Sequence, residues 1–169
     1  MQVPESEGEQ RRWLAARARE VLESVPVGRG DCVVDFGCGG GTYAVPAAQL
    51  VGPGGTIHAL DCDADRIQAL ESAAREAGVG NVRLIHGRGG VCIPLDDTSC
   101  DVGLLYDVLQ NIEDWDGLFA EMRRVLRPGG FLSVYPMHLD PHQVRAALAA
   151  AGFRFRDHYA GLVLHFVRE

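Results

Sequence analysis

Ten residues, Val33-Val34-Asp35-Phe36-Gly37-Cys38-Gly39-Gly40-Gly41-Thr42, constrain this chain more than any other stretch. A short apolar run carrying one acid ends in a loop with glycine at four of the five positions 37–41. The text then turns helical over residues 42–51, with Thr42 as the expected N-cap and Pro46 in the first turn, where a missing N–H costs little. A continuous apolar run suits a strand buried on both faces, and such a strand needs a helix to cross back over the sheet. Glycine lacks Cβ, so the loop reaches unusual backbone angles and lets a ligand approach the main chain. The helix end behind it presents unpaired N–H groups, a natural seat for an anionic group.

The rest of the chain repeats the alternation. Strands are expected over 31–36, 56–60, 82–86, 101–106 and 131–136. Two more, 153–159 and 162–167, are joined only by Ala160-Gly161 and must pair antiparallel. Helices are expected over 9–24, 42–51, 64–77 with Asp63 as cap, 115–126 and 141–151. Residues 87–99 read as irregular, and Arg127-Pro128-Gly129-Gly130 as a turn. The pattern predicts an α/β fold: a Rossmann-like, doubly wound, seven-stranded mixed sheet with strands 1–5 parallel and the last two an antiparallel hairpin. Residues 1–24 form an N-terminal tail and helix, residues 25–169 the ligand-binding part, and 169 residues suit one domain overall. Such sheets bind ligands beyond the carboxyl ends of their strands. That gathers Asp35, Asp61, His86, Tyr106 with Asp107, and Met137 with His138.

Composition removes several classes of function. The net charge of −7 argues against a general grip on nucleic acid, which needs a basic face. The five cysteines are odd in number and form no C-x-x-C pair, which points to reduced thiols in a cytoplasmic protein and to no metal site. Residues 1–10 are polar and acidic, unlike a signal peptide, and no apolar stretch approaches the roughly 20 residues a membrane span requires.

Two ligands compete for the glycine loop. A dinucleotide needs G-x-G-x-x-G/A, and Thr42 stands where the last small residue belongs. The Asp35 carboxylate also repels a pyrophosphate. S-adenosyl-L-methionine carries no phosphate. Its cationic part suits Asp35, its carboxylate suits the loop and helix end, and its ribose diol suits Asp61 at the end of the second strand.

The motifs agree. Residues 33–41 resemble the first motif of class I S-adenosylmethionine-dependent methyltransferases, and Ile57-His58-Ala59-Leu60-Asp61 the second. Ile93-Pro94-Leu95-Asp96-Asp97-Thr98-Ser99-Cys100-Asp101 resembles the segment entering the family's fourth strand, and Arg124-Val125-Leu126-Arg127-Pro128-Gly129-Gly130 the turn before the fifth. Together they look most like the ubiquinone/menaquinone-biosynthesis type, the methyltransferase type 11 kind. The resemblance implies methyl transfer to a small-molecule acceptor. It implies cofactor contacts at Asp35, Gly37, Cys38, Gly39, Thr42, Asp61, Cys62, Arg88, Gly89 and Tyr106. Cys38 at a helix start could be a reactive thiol or only fill a small space.

Catalytic candidates follow from strand ends: Tyr106 and Asp107 after the fourth, His138 after the fifth. Gln110 and Asn111 share the rim, Tyr43 flanks the loop, and His142 begins a helix. No nucleophile–base–acid triad is legible. Two departures stand out. The family's adenine-binding acid after the third strand is replaced by His86-Gly87-Arg88-Gly89-Gly90, leaving Arg88 or the backbone of Gly89 and Gly90 for that contact. The usual insertion over the substrate is missing, since only His138, Leu139 and Asp140 precede the next helix. The site is then open, or closed by the N-terminal helix or by a second subunit in a homodimer. A degenerate domain that binds the cofactor as a sensor or assembly partner is the alternative reading.

Overall fold

The runs without a polar face become the inner strands. In the computed structural model, which describes residues 2–169, β1 (Cys32–Phe36), β4 (Cys100–Tyr106) and β5 (Leu126–Tyr135) occupy the centre of one sheet. Outward on one side lie β2 (Thr56–Asp61) and the edge strand β3 (Val82–His86). On the other lie β7 (Val163–Arg168) and the edge strand β6 (Phe153–Tyr159). The order β3-β2-β1-β4-β5-β7-β6, parallel except for β7 against both neighbours, is the expected seven-stranded mixed sheet.

Alternation along each strand splits the core in two. Val33, Ile57, Ala59, Val102 and Leu104 face α2 (Ala18–Ser24), α3 (Ala44–Val51) and Leu70 of α4 (Ala64–Glu76). Val34, Leu105, Leu132 and Val134 face α5 (Trp115–Val125) and α6 (Pro141–Ala150). No helix fills this second face between β3 and β4. There the irregular segment 87–99 buries Ile93 completely. Arg124 holds the segment down, donating to the carbonyls of Ile93 and Leu95 at 2.7 Å each and to Asp97 Oδ1 at 2.8 Å. Glu121 braces Arg124 with two further contacts of 2.8 and 2.9 Å.

Three expectations change. The helix over 9–24 is two, α1 (Glu7–Ala15) and α2, broken at Arg17 (φ −118°, ψ 22°) with its guanidinium over the Trp13 ring. The break lets α2 pack on α3 while α1 swings across the carboxyl ends of the strands. The turn at 127–130 lies inside β5: Leu126 pairs with Cys100 but Phe131 with Val102, so the four residues between bulge outward. Arg127 Nε on Asp101 Oδ1 (2.5 Å) secures the bulge, and the other Asp101 oxygen accepts from Cys32 N at 2.8 Å. Finally, Thr42 does not cap α3. Tyr43 takes the N-cap position without a side-chain bond. Asp63 does cap α4, accepting from Asp65 N and Arg66 N.

Candidate functional site

The glycine loop is tied to the neighbouring strand end before any ligand is considered. Gly37 N and Cys38 N both donate to the Leu60 carbonyl at 2.8 and 2.9 Å, and Gly41 N to the Cys38 carbonyl at 3.2 Å. Gly39 N donates to Asp61 Oδ2 at 2.9 Å, while Asp61 Oδ1 accepts from Asp63 N at 3.0 Å. So the loop's amides largely satisfy β2 rather than an anion, narrowing the seat that the sequence suggested. Two of its glycines are sterically required. A Cβ on Gly37 (φ +77°) would meet Val108 Cγ2 at 2.5 Å, and one on Gly41 (φ +93°) would run into Leu70 Cδ1. Above Gly39 nothing lies within 4 Å, so this part of the main chain is open to a ligand.

Asp35 sits beside the loop, 2% exposed, with Oδ2 buried and without any hydrogen-bond partner. Burial first, and then the charge of Asp61, push its carboxyl up to about 7. A buried carboxyl oxygen without a donor in the protein either leaves the group protonated or is satisfied by a donor or cation from a ligand.

Two cavities open here and meet at Gly37, Arg66, Asp107 and Asn111. The first, of about 500 Å3, is predominantly apolar, walled by Leu60, Ile85, Pro94, Val108 and Ile112, with Asp61 on its edge. Cys62, Arg88, Gly89 and Gly90 line it too, placing the stretch without the adenine acid against this space. The second, of about 460 Å3, is polar and holds Asp35, Cys38, Gly39, Thr42, Tyr106, Asp107 and His138. The residues singled out in the sequence as cofactor contacts therefore border two joined cavities, and His142 lines neither.

The catalytic candidates fare unequally as chemistry. The Tyr106 hydroxyl is spent on Ser133 Oγ at 2.6 Å, and burial holds it far above the ordinary phenol range. Its ring meets Tyr43 edge-on at 4.5 Å. Asp107, at φ +55° with its backbone amide on the Tyr135 carbonyl, is held by Arg11 and Gln110. His138 Nδ1 lies 3.8 Å from Glu7 Oε2. Burial first, then the charges of Asp35 and Asp61, raise the Cys38 thiol, which disfavours the thiolate, and Cys38 lines the polar cavity.

Sequence reasoning missed several wall residues, three of which stand out. Arg11 and Ala15 come from α1, which covers the polar cavity in place of an insertion after β5. No periodicity showed that this helix breaks. Tyr135, 2% exposed with an unpartnered hydroxyl, is the last residue of β5 and pairs with Tyr106. The strand-end rule would have found it had the strand been ended one residue earlier.

Comparison with known proteins follows the same lines. A family described as "Methyltransferase domain" matches residues 34–134. A demethylmenaquinone methyltransferase of Geobacillus kaustophilus is 34% identical over 120 residues, covering 71% of this chain and 50% of that protein. This chain thus spans about half the length of the curated relatives it matches. A SAM-dependent methyltransferase from Aquifex aeolicus superposes with a TM-score of 0.78 at 18% identity, covering 97% of this chain and 98% of that one. Magnesium protoporphyrin IX methyltransferase from Synechocystis PCC 6803, solved with bound SAM, gives 0.72 at 17% identity over 94% and 79% of the chains. At these identities the two structures share the fold.

Proposed function

Because the chain belongs to the methyltransferase-domain family, we propose that it transfers a methyl group from S-adenosyl-L-methionine to a small-molecule acceptor. The observation that carries this reading is the unpaired Asp35 oxygen buried where the glycine loop meets two joined cavities. A cationic, partly apolar ligand satisfies both features. The cofactor, when bound, supplies a methyl carbon that its sulfonium has already made electrophilic.

The chain's own residues then bind, orient and exclude water. The apolar cavity takes the adenosine, with Asp61 accepting from the ribose hydroxyls through its remaining lone pairs and Cys62, Arg88 and Gly89 at the rim. Gly37, Gly39 and Thr42 follow the methionine tail, and Asp35 faces its cationic part. The Tyr106 ring and Cys38 shape the wall. The acceptor enters the polar cavity beneath α1. His138 is the imidazole on that rim and would take the proton from a protonated substrate.

The net charge of −7 and the name of the Geobacillus relative support a small acceptor over nucleic acid. The odd cysteine count supports a reducing, cytoplasmic setting, and no helix among the described residues is long and apolar enough to cross a membrane. Isothermal titration with S-adenosylhomocysteine tests the reading. Binding is expected in the micromolar range, and none up to millimolar ligand overturns it. Turnover of a panel of thiols, phenols and amines then separates an enzyme from a sensor.

A further inference from the structure

Three of the four buried side-chain atoms that lack any partner among the described residues, Asp35 Oδ2, Gln110 Oε1 and Tyr135 Oη, belong to residues lining the same polar cavity. The first is accounted for by a cationic cofactor. The other two are not.

The orientation of Gln110 is settled by its neighbours. Its amide nitrogen donates to the Asp107 carbonyl at 3.0 Å and to Asp107 Oδ1 at 2.7 Å. Both partners are acceptors only, so the amide cannot be reversed, and Oε1 is left needing a donor. Asp107 is itself fixed from the other side by Arg11 Nε at 2.7 Å. Arg11, Asp107 and Gln110 therefore form a chain that runs from the covering helix into the cavity. Tyr135 has the opposite need. Burial first, then the charges of Asp107 and Glu7, raise its hydroxyl above the ordinary phenol range, so it stays protonated and donates.

An unmet acceptor and an unmet donor in the same cavity are the complement of hydroxyl chemistry, since a hydroxyl can give its proton to an amide oxygen and accept one from a phenol. Tyr43 and Tyr106, packed edge to face, add aromatic walls suited to a flat ring. We infer that Gln110 and Tyr135 form the acceptor subsite and select a small planar molecule through a phenolic or enolic hydroxyl. Arg11 and Asp107 are positioning residues that hold the Gln110 amide. This rests on the methyl-donor reading only in taking the polar cavity as the acceptor's.

The test compares catechol with 1,2-dimethoxybenzene, binding to the full chain with and without saturating S-adenosylhomocysteine. Catechol is expected to bind at least tenfold more tightly. Tyr135→Phe and Gln110→Met should each lose at least fivefold for catechol, leave 1,2-dimethoxybenzene unchanged, and keep S-adenosylhomocysteine affinity within twofold. Equal affinities of the two probes for the unmodified chain overturn the inference, and that comparison needs no variant to fold. So does unchanged catechol affinity in both variants. Failure of S-adenosylhomocysteine to bind strikes the donor reading alone, since the two probes are also compared without it.

Discussion

Arg11 Nε lies 2.7 Å from Asp107 Oδ2 and joins the first helix to the residue that follows β4. The pair is uneven: the Arg11 side chain is 62% exposed, that of Asp107 17%. Glu7 to His138, at 3.8 Å, is a second and weaker link from the same helix to the segment after β5. Exposed ion pairs contribute little to global stability, but the Arg11–Asp107 pair at the cavity mouth, with the polar Glu7–His138 contact beside it, sets how often the helix lifts. Arg11→Ala is expected to leave the melting temperature within about 2 °C while speeding deuterium uptake over residues 7–15. Unchanged uptake would show that α1 is held by its buried Leu14 alone.

Asp35 makes cofactor affinity depend on pH. Its carboxyl titrates near 7, raised by burial and by Asp61, while the ligand's ammonium stays protonated through that range. Affinity for S-adenosylhomocysteine should therefore climb as pH rises from 5.5 to 7, by up to about tenfold per unit, and then level off. Asp35→Asn should bind weakly with no such slope. In the free protein the sign is reversed. The folded state holds a proton that the unfolded chain gives up near pH 4, so this group's contribution to stability falls as pH rises from about 4 to 7. Titrations at five pH values on both proteins check the point, and a flat wild-type profile would exclude an ionised Asp35 from binding.

Asp61 has two duties, and one substitution separates poorly between them. It accepts from Gly39 N and Asp63 N and is assigned the ribose hydroxyls. Asp61→Ala leaves part-buried amides without partners, at about 1–3 kcal/mol, and should lower the melting temperature by several degrees as well as removing most cofactor affinity. Asp61→Asn keeps one acceptor oxygen and should recover much of the stability but little of the affinity. Full affinity in both variants would remove the ribose role.

Arg124 is predicted to be irreplaceable by lysine. Its guanidinium reaches two carbonyls and two carboxylates at once, and an ammonium cannot span that fork. Arg124→Lys should behave like Arg124→Ala: faster proteolysis within residues 91–97 and weaker cofactor binding, because Cys92 and Pro94 wall the apolar cavity. Rescue by lysine would reduce the contact to charge.

Ala160 offers a stabilising change. Ala160 (φ 54°) and Gly161 (φ 72°) are the central pair of the turn between β6 and β7, closed by Leu162 N on the Tyr159 carbonyl at 3.0 Å, and both take positive φ. Asparagine tolerates that region better than alanine, so Ala160→Asn should add about 0.5–1 kcal/mol and raise the melting temperature by a few degrees. A lower melting temperature would show that the turn is held by the His158 ring, which accepts from Gly161 N at 3.0 Å, and not by backbone preference.

Local pattern alone determined the alternation of strands and helices, the antiparallel hairpin, the Asp63 cap and the acids at the strand ends. Each follows from spacing along the chain: period 2 or an unbroken apolar run, helical periodicity, and a turn too short for a crossover. The motif order likewise singled out Asp35, Gly37–Gly41 and Asp61 as candidates before any coordinates. Tertiary structure decided the rest. The break at Arg17, the bulge at 127–130 and the anchoring of 87–99 by Ile93 and Arg124 depend on partners tens of residues away, which local propensity does not register. The state of each polar atom was likewise decided in three dimensions. Thr42 reads as a cap but does not cap, the Tyr106 hydroxyl turns away to Ser133, and Tyr135 and Gln110 keep unmet hydrogen bonds in the cavity. Residue type states what a side chain can donate or accept, and only the fold determines whether another part of the protein has already satisfied it.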